Sequence, residues 1–573
     1  MSNCFQFTAG SFQELNRALE SHKKDTDFLL QPGGVLSVRA ADCREMPLVL
    51  SNTDYTDKKR TAVLLDGMEN ITLDFNGSML ECEGQLQPLT LLDSRNITVK
   101  NLVIDWKIPL SAEGTILQMT ESRMDVRINP ALFPFEVREN RLYFLGNGEP
   151  ALLWTGAHTV FHPDTRAVCM KTGDELRLED CAALSEDTVR FTGRFPAVYP
   201  AGSVVVLRHS ERVHAGIFAE NCENVLFENI TVHATGGLGI LCQFNRNLTF
   251  RKVSFRANAQ KGRQVVNGHD DGLHLTSNAG TITVENCYFH GLMDDPINVH
   301  GLCARIEEVT DRRTVIGRYV HHQSQGFRLY ARQGDLFSVI RSTSMHSIGR
   351  AHAASFRLLS KETFRLQFAE ELPEDVRAGD ALENLTNTAS FLCRDNYFGP
   401  CRARGILVST PRTVRVEDNL FQTAGSAVLI AGDANYWYES GACRDVAIRR
   451  NSFAAECLST PYGGCEAVVS ICPEVPEPDA AYPFHRNILL EDNTFFSPGV
   501  PVVYAFCTEN LKLRRNRIFR CRGYSAAGER ALVELDACSQ VSLEENRVIG
   551  DFPNPFFSAK RTPPEEIDRS RQE

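Results

Sequence analysis

Residues 267–275 read NGHDDGLHL and residues 292–301 read LMDDPINVHG. Laid over each other without a gap, Asp270 falls on Asp294, Asp271 on Asp295, Leu273 on Ile297, His274 on Asn298 and Leu275 on Val299. A single Asp-Gly pair is an ordinary turn signal. Two adjacent acid pairs in register, 24 residues apart, are harder to dismiss. Like charges brought close destabilise each other, and a fold tolerates that more readily where function demands it. Three uses compete: decoration of bends, calcium binding through clustered oxygens, and acid–base catalysis. Catalysis is favoured. Glycoside hydrolysis needs a protonated carboxylic acid at the leaving oxygen and an ionised carboxylate for water or nucleophile. Crowding raises one pKa while a neighbouring cation lowers another. His269, His274 and His300 surround the acids, where they suit sugar hydroxyls, and Asp270 completes the patch.

The elements that must position these acids are strands. NITLDFNG (70–77), NITVKNLVI (96–104), NVLFENITV (224–232), NLTFRKVSF (247–255), NILLEDNTF (487–495) and NLKLRRNRIF (510–519) repeat one pattern. Asn224 to Asn247 spans 23 residues, and Asn487 to Asn510 spans 23 again. Each unit alternates with period 2, bends at an Asn and resumes as a second short strand. The fold class expected is all-β: a right-handed parallel β-helix of about ten coils or more, with two inserted small β-barrel-like domains. Asn at a fixed rung position can stack in a ladder and satisfy its own bend. A lone amphipathic helix at 11–23, with Phe12, Leu15 and Leu19 on one face, should cap the first coil against edge pairing.

A second column of strands, AGIFAEN (215–221), LGILCQF (238–244), DGLHLTS (271–277), DPINVHG (295–301) and RGILVST (404–410), stacks Ala215, Leu238, Asp271, Asp295 and Arg404 in one file. Asp270 and Asp294 fall in the file beside it. Parallel strands lie about 4.7–4.9 Å apart, so four acids crowd one patch beside Arg404, whose charge argues against a metal cation there. Strict alternation would point Asp271 and Asp295 inward with Leu273 and Ile297, so both must sit at a bend. The expected organisation is a cap and first coils at 1–106, an insert at 107–210, acid-bearing coils at 211–302, a second insert at 303–385 overhanging the acids, C-terminal coils at 386–555, and a disordered polar tail at 556–573. FPAVYPAGSVVVLRH (195–209) and LPEDVRAGDALENL (372–385) share a pattern between the inserts.

A net charge of −11 excludes a general nucleic-acid or anionic-membrane binder. The 18 cysteines include no CxxC pair, and several replace apolar strand residues (Cys222, Cys242, Cys287), which reads as buried free thiols. No signal peptide pattern opens the chain and no apolar run reaches spanning length, so a reduced cytoplasmic setting is expected. The N-x-T matches at Asn70, Asn96, Asn229, Asn247 and Asn384 read as a repeat signature before they read as glycosylation sites. Oligomeric state stays open, a homodimer included.

Two further groups could serve a sugar. Trp437, in the polar excursion DANYWYES (433–440), could be a platform for the face of a sugar ring, with Tyr436 or Glu439 bonding hydroxyls; the plain alternative is an aromatic loop anchor. Residues 257–268 enlarge one rung, since Gly239 to Gly272 spans 33 residues, which makes Asn267 a candidate pocket wall.

NGHDDGLHL, MDDPINVHG, ARGILVST (403–410) and NYWYESGA (435–442) resemble the motifs of glycoside hydrolase family 110, bacterial exo-acting α-1,3-galactosidases of the B-antigen-cleaving type. The similarity runs through most of the chain, inserts included, and the spacing of the acid pairs is its most specific part. The resemblance implies a carbohydrate substrate with terminal α-galactose, an inverting mechanism, and no cofactor or metal. Asp294 then matches the proposed acid, and Asp271 and Asp295 the pair that holds and activates water. Inversion would set acid and base about 6.5–9.5 Å apart. The alternatives are a polygalacturonase-like hydrolase, a polysaccharide lyase, and a non-catalytic glycan-binding β-helix. The Gly-His-Gly signature of the first is missing, a lyase needs a basic proton abstractor, and the third leaves the stacked acids unexplained.

Overall fold

The computed structural model describes residues 3–7, 11–146, 150–173, 176–460, 462–479, 481–521 and 530–572. Its body is a parallel β-helix. One sheet stacks fourteen strands and a second stacks twelve. A third parallel sheet runs from Lys59–Asp66 to Phe557–Lys560. Neighbouring coils repeat the expected register, as in Val225↔Leu248 and Phe227↔Phe250. The apolar residues of the alternating pattern form one continuous core through the coils. Within it, Phe255, Phe289, Phe398, Phe421, Phe453 and Phe495 stack ring on ring at 4.5–5.7 Å. Each such pair adds about 0.5–1.5 kcal/mol beyond area burial.

The rung asparagines stack. Asn96, Asn224 and Asn247 sit at φ of 55–57°, a left-handed region that Asn tolerates better than most residues. Asn96 Nδ2 donates to Asn70 Oδ1 (2.7 Å), Asn224 to Asn96 (2.9 Å) and Asn247 to Asn224 (3.0 Å). A second, buried ladder runs from Asn396 through Asn419, Asn451, Asn493 and Asn516 to Asn546, with steps of 2.9–3.1 Å. In it each amide also donates to a strand carbonyl of the preceding coil and accepts from the backbone N–H of the asparagine before it, so every step satisfies bend backbone.

The helix spans Phe12–Ser21 and buries Phe12, Leu15 and Leu19. Asn16 behaves as a substitute strand: its amide donates to Ala62 O (2.6 Å) and accepts from Leu64 N–H (3.0 Å). The first insert is a six-stranded antiparallel sheet with a three-stranded companion, closed on its own core around Ile116, Val126, Trp154 and Phe191. The second grows directly out of a coil, because the strand Ile297–Asp311 leaves the helix body and continues into the insert. The pattern shared between the inserts is the turn before each last strand. Gly202 and Gly379 take φ of 86° and 95° there, and their N–H groups donate to Ile116 O and Ile306 O, both at 2.8 Å.

The tail is a correction. Phe557–Lys560 pairs with Val533–Asp536, and Ile567 pairs with Val541; the polar composition conceals a last half-coil that covers the exposed edge. Of the cysteines, Cys222, Cys242 and Cys287 are buried free thiols. No helix among the described residues is long and apolar enough to cross a membrane.

Candidate active site

The acids sit at bends just before the strands Leu273–Thr276 and Ile297–Asp311. Leu273 pairs with Ile297 and Ile297 with Ile406, and the ladder continues outward through Gly239 N–H to Asp271 O (2.8 Å) and Gly272 N–H to Asp295 O (2.9 Å). Gly272 permits this close stacking, since a Cβ there would lie 2.7 Å from Pro296 O. Asp271 and Asp295 are thereby held one above the other, with Asp295 N–H donating to Asp271 Oδ1 (3.2 Å). Asp294 is half-buried beside them, and Tyr462 OH reaches its Oδ1 at 3.4 Å.

Aspartate only accepts, so stacked aspartates need donors from elsewhere. Arg404 supplies two to Asp295: its backbone N–H to Oδ1 (2.8 Å) and a guanidinium nitrogen to Oδ2 (2.7 Å). Arg212 pairs with Asp270 at 2.6 Å, and His269 Nδ1 lies 2.9 Å from the same oxygen. His274 Nδ1 lies 2.8 Å from Asp271 Oδ2. These partners split the three buried acids. Burial alone would raise Asp270, but Arg212 overrides it and holds the carboxyl well below the usual range. Burial pushes Asp271 far up, and Asp294 adds to this while Arg212 opposes it. Burial also pushes Asp295 up, against the pull of Arg404 and with Asp294 adding.

The acids floor a cavity of about 770 Å³. Its rim comes from excursions between coils and from both inserts: Ala157 and Arg208 from the first, Gln323 from the second, and Asn52 and Asp54 from an early loop. The excursion 433–440 is organised by Asp433, whose Oδ2 accepts from the backbone N–H groups of Tyr436 (3.0 Å), Trp437 and Tyr438 (2.9 Å). That arrangement presents Trp437 and Glu439 to the cavity. Trp437 is 39% exposed and rests on His321 of the second insert at 4.3 Å between ring centres.

The structure brings Asp271, Asp294, Asp295, Arg404, Trp437 and Glu439 to the cavity wall. His269 lines it too, whereas Asp270, His274, His300 and Asn267 lie behind it. Asp270 is buried against Arg212, so it holds an arginine that lines the cavity rather than lining it itself. His274 and His300 are buried beneath the floor, joined Nε2 to Nε2 at 3.1 Å. Asn267 is not a wall: its fully buried amide donates to Ser111 O and Glu113 Oε1, both at 3.3 Å, and ties the enlarged rung to the first insert. Tyr436 is 62% exposed and absent from the lining.

Arg212, Tyr462 and Glu474 were missed. Tyr462 packs between Arg402 and Arg404, whose guanidinium carbons lie 5.0 and 4.9 Å from its ring centre. Glu474 is raised to about 7 by burial and by Asp433. Rung length would have found the last two, because Asn451 to Asn493 spans 42 residues where the unit repeat is 23. Arg212 has no such signal.

One carboxylate oxygen from each of Asp271, Asp294 and Asp295 lies within 4.8 Å of the others, close enough to share an ion. Arg404 already bonds both Asp295 oxygens and opposes a cation there. His274, His300 and Glu439 also converge, and the two histidine Nε2 atoms stand at hydrogen-bond distance, 3.1 Å. That bound holds between nearest oxygens and is a different quantity from the carboxyl-to-carboxyl span of about 6.5–9.5 Å that inversion implies. The crowding comes from adjacent file positions on successive rungs.

A polar cavity floored by crowded carboxylates, with an aromatic ring on its wall, is the site of a sugar-processing hydrolase built on a β-helix. Residues 112–205 match the family described as GLAA-B beta-barrel domain I, and residues 314–382 match GLAA-B beta-barrel domain II. The chain is 38% identical to alpha-1,3-galactosidase B of Bacteroides thetaiotaomicron over 97% of its own length and 90% of that protein. It is 30% identical to alpha-1,3-galactosidase A of Bacteroides fragilis, over 93% of this chain and 89% of that one. Among solved structures it is similar to the family 28 exopolygalacturonase of Yersinia enterocolitica, at 11% identity and a TM-score of 0.41, covering 98% and 78% of the two chains. The chain belongs to the α-1,3-galactosidase family.

Proposed function

We propose that the protein is an exo-acting glycoside hydrolase of family 110 that removes terminal α-1,3-linked galactose with inversion. The observation that carries this reading is the trio Asp271, Asp294 and Asp295 on the floor of the cavity, in a chain aligned nearly end to end with α-1,3-galactosidases. Asp294, the least enclosed of the three, is the acid that protonates the leaving oxygen. Asp271 and Asp295 are the pair that holds and activates water, and Arg404 pulls Asp295 toward the carboxylate against burial. Trp437 takes the apolar face of galactose, while Glu439 and Arg212 take its hydroxyls. A panel of 1,3-, 1,4- and 1,6-linked α-galactosides, branched with fucose or not, tests the reading. Selective release of galactose from the 1,3-linked substrates supports it. Preference for another linkage, or for polygalacturonate, contradicts it.

A further inference from the structure

Beneath the cavity floor lies a chain of groups that the proposed mechanism does not use. We propose that Asp271, His274 and His300 share one labile proton, and that its position along them sets the charge of Asp271. The proposal rests on the reading of Asp271 as a water-activating carboxylate.

The accounting starts from an obligatory donor. The Gly301 carbonyl can only accept, so His300 Nδ1, 2.7 Å away, carries hydrogen. His300 Nε2 lies 3.1 Å from His274 Nε2, and one hydrogen must lie between them, because two bare nitrogens repel. His274 Nδ1 lies 2.8 Å from Asp271 Oδ2, where again one hydrogen must lie between. Three links need three hydrogens. Two neutral imidazoles and one carboxylate hold only two, so the chain stores one extra proton.

Two arrangements that keep the buried His274 neutral satisfy every link without moving a heavy atom. In the first, Asp271 carries Oδ2–H, His274 carries Nε2–H and His300 is neutral. In the second, Oδ2–H has broken and Nδ1–H has formed on His274, while His274 Nε2–H has broken and Nε2–H has formed on His300. Asp271 is then a carboxylate and His300 an imidazolium, with Glu439 Oε1 3.6 Å away as counter-ion. One proton leaves oxygen and one arrives at nitrogen, so no co-reactant is needed. Burial, which pushes Asp271 up, His274 down to about 4 and His300 down, favours the first arrangement. The charged groups facing the chain are Asp270, Asp294 and Arg212 toward His274 and Asp271, Arg404 toward Asp271, and Glu439 toward both histidines. Passage to His300 turns Asp271 into a working base. Glu439, which lines the cavity, offers the proton its way out after turnover. His274 and His300 are thus positioning residues acting through Asp271.

The test joins a spectrum to a pH profile. Histidine-selective 15N labelling of the wild-type protein should show His300 protonated at Nδ1 and one hydrogen shared by the two Nε2 atoms. In His300→Gln the glutamine can accept from His274 but cannot take its proton. Asp271 can then lose its proton only by charging the buried His274, so the acid limb of kcat/KM should move up by about one pH unit, a tenfold loss at fixed pH. His274→Asn should do the same. Two bare Nε2 atoms in the spectrum, an unmoved acid limb in both variants, or a stoichiometric metal in elemental analysis would each overturn the proposal. Wild-type protein without galactosidase activity would refute the functional reading, while the spectrum would still decide the proton chain.

Discussion

Two bends of the β-helix stack identical side chains on successive coils, with opposite consequences. At one, asparagines from Asn396 to Asn546 lie one above another, each amide donating to the next at 2.9–3.1 Å. At the other, Asp270 and Asp271 lie over Asp294 and Asp295. An amide is donor and acceptor at once, so a column of amides satisfies itself. A carboxylate only accepts, so the aspartate column must draw on Arg212, Arg404, His269 and His274. The fold treats the two files alike, since both are in-register rungs. Chemistry separates them: the self-satisfied file holds the coil together, and the frustrated file leaves carboxyls with displaced pKa values facing a cavity.

Exchanging one amide for one carboxyl in either file tests this difference, and the largest effect is expected in the acid file. Asp294→Asn should lower the rate on an α-1,3-galactoside disaccharide by about 10²–10⁴-fold, the usual worth of general acid catalysis. A substrate with an activated leaving group should lose much less, because it needs little protonation. Steady-state kinetics on the two substrates checks this, and equal losses would move the acid role elsewhere.

The reverse exchange, Asn451→Asp, places an acceptor where a donor is required. Asn451 Nδ2 now serves Val416 O (2.8 Å) and Asn493 Oδ1 (3.1 Å). Its replacement should cost about 3 kcal/mol or more, since a buried charged group loses its partners. Urea unfolding reads the loss, and activity per folded molecule should be unchanged.

Arg404→Ala sharpens the comparison from the side of the cation. The guanidinium lowers the pKa of Asp295 against burial, so its removal raises that pKa and leaves less carboxylate at a given pH. The acid limb of the pH–rate profile should therefore move upward, and KM should rise because Arg404 lines the cavity. An unmoved limb with unchanged KM would make Arg404 structural only.

Smallest is the exposed ladder. Asn224→Gly keeps the positive φ of 56° affordable and removes the bonds to Asn96 and Asn247. About 0.5–1 kcal/mol of stability should go, visible in the same urea titration.

The coils were legible in the sequence because each rung carries its own marks, an Asn at the bend and a Phe in the core, at a fixed spacing. The acid pairs were legible for the same reason: register on paper is register in space when strands are parallel. Asn267 was misplaced because an enlarged rung says that a loop exists, not which way its side chains turn; Ser111 and Glu113, which hold it, lie more than 150 positions away. Arg212 was invisible on similar grounds, since its pairing with Asp270 closes across the two coils between them. The tail misled through composition, as a short edge strand needs few apolar residues.

Proton NMR of the sugar released from an α-1,3-galactoside disaccharide tests the central claim most directly. Asp294 as acid, with water held by Asp271 and Asp295, requires β-galactose to appear first and the α anomer to grow in only by mutarotation. Release of α-galactose first would show a covalent intermediate on one of these crowded carboxylates and contradict the account.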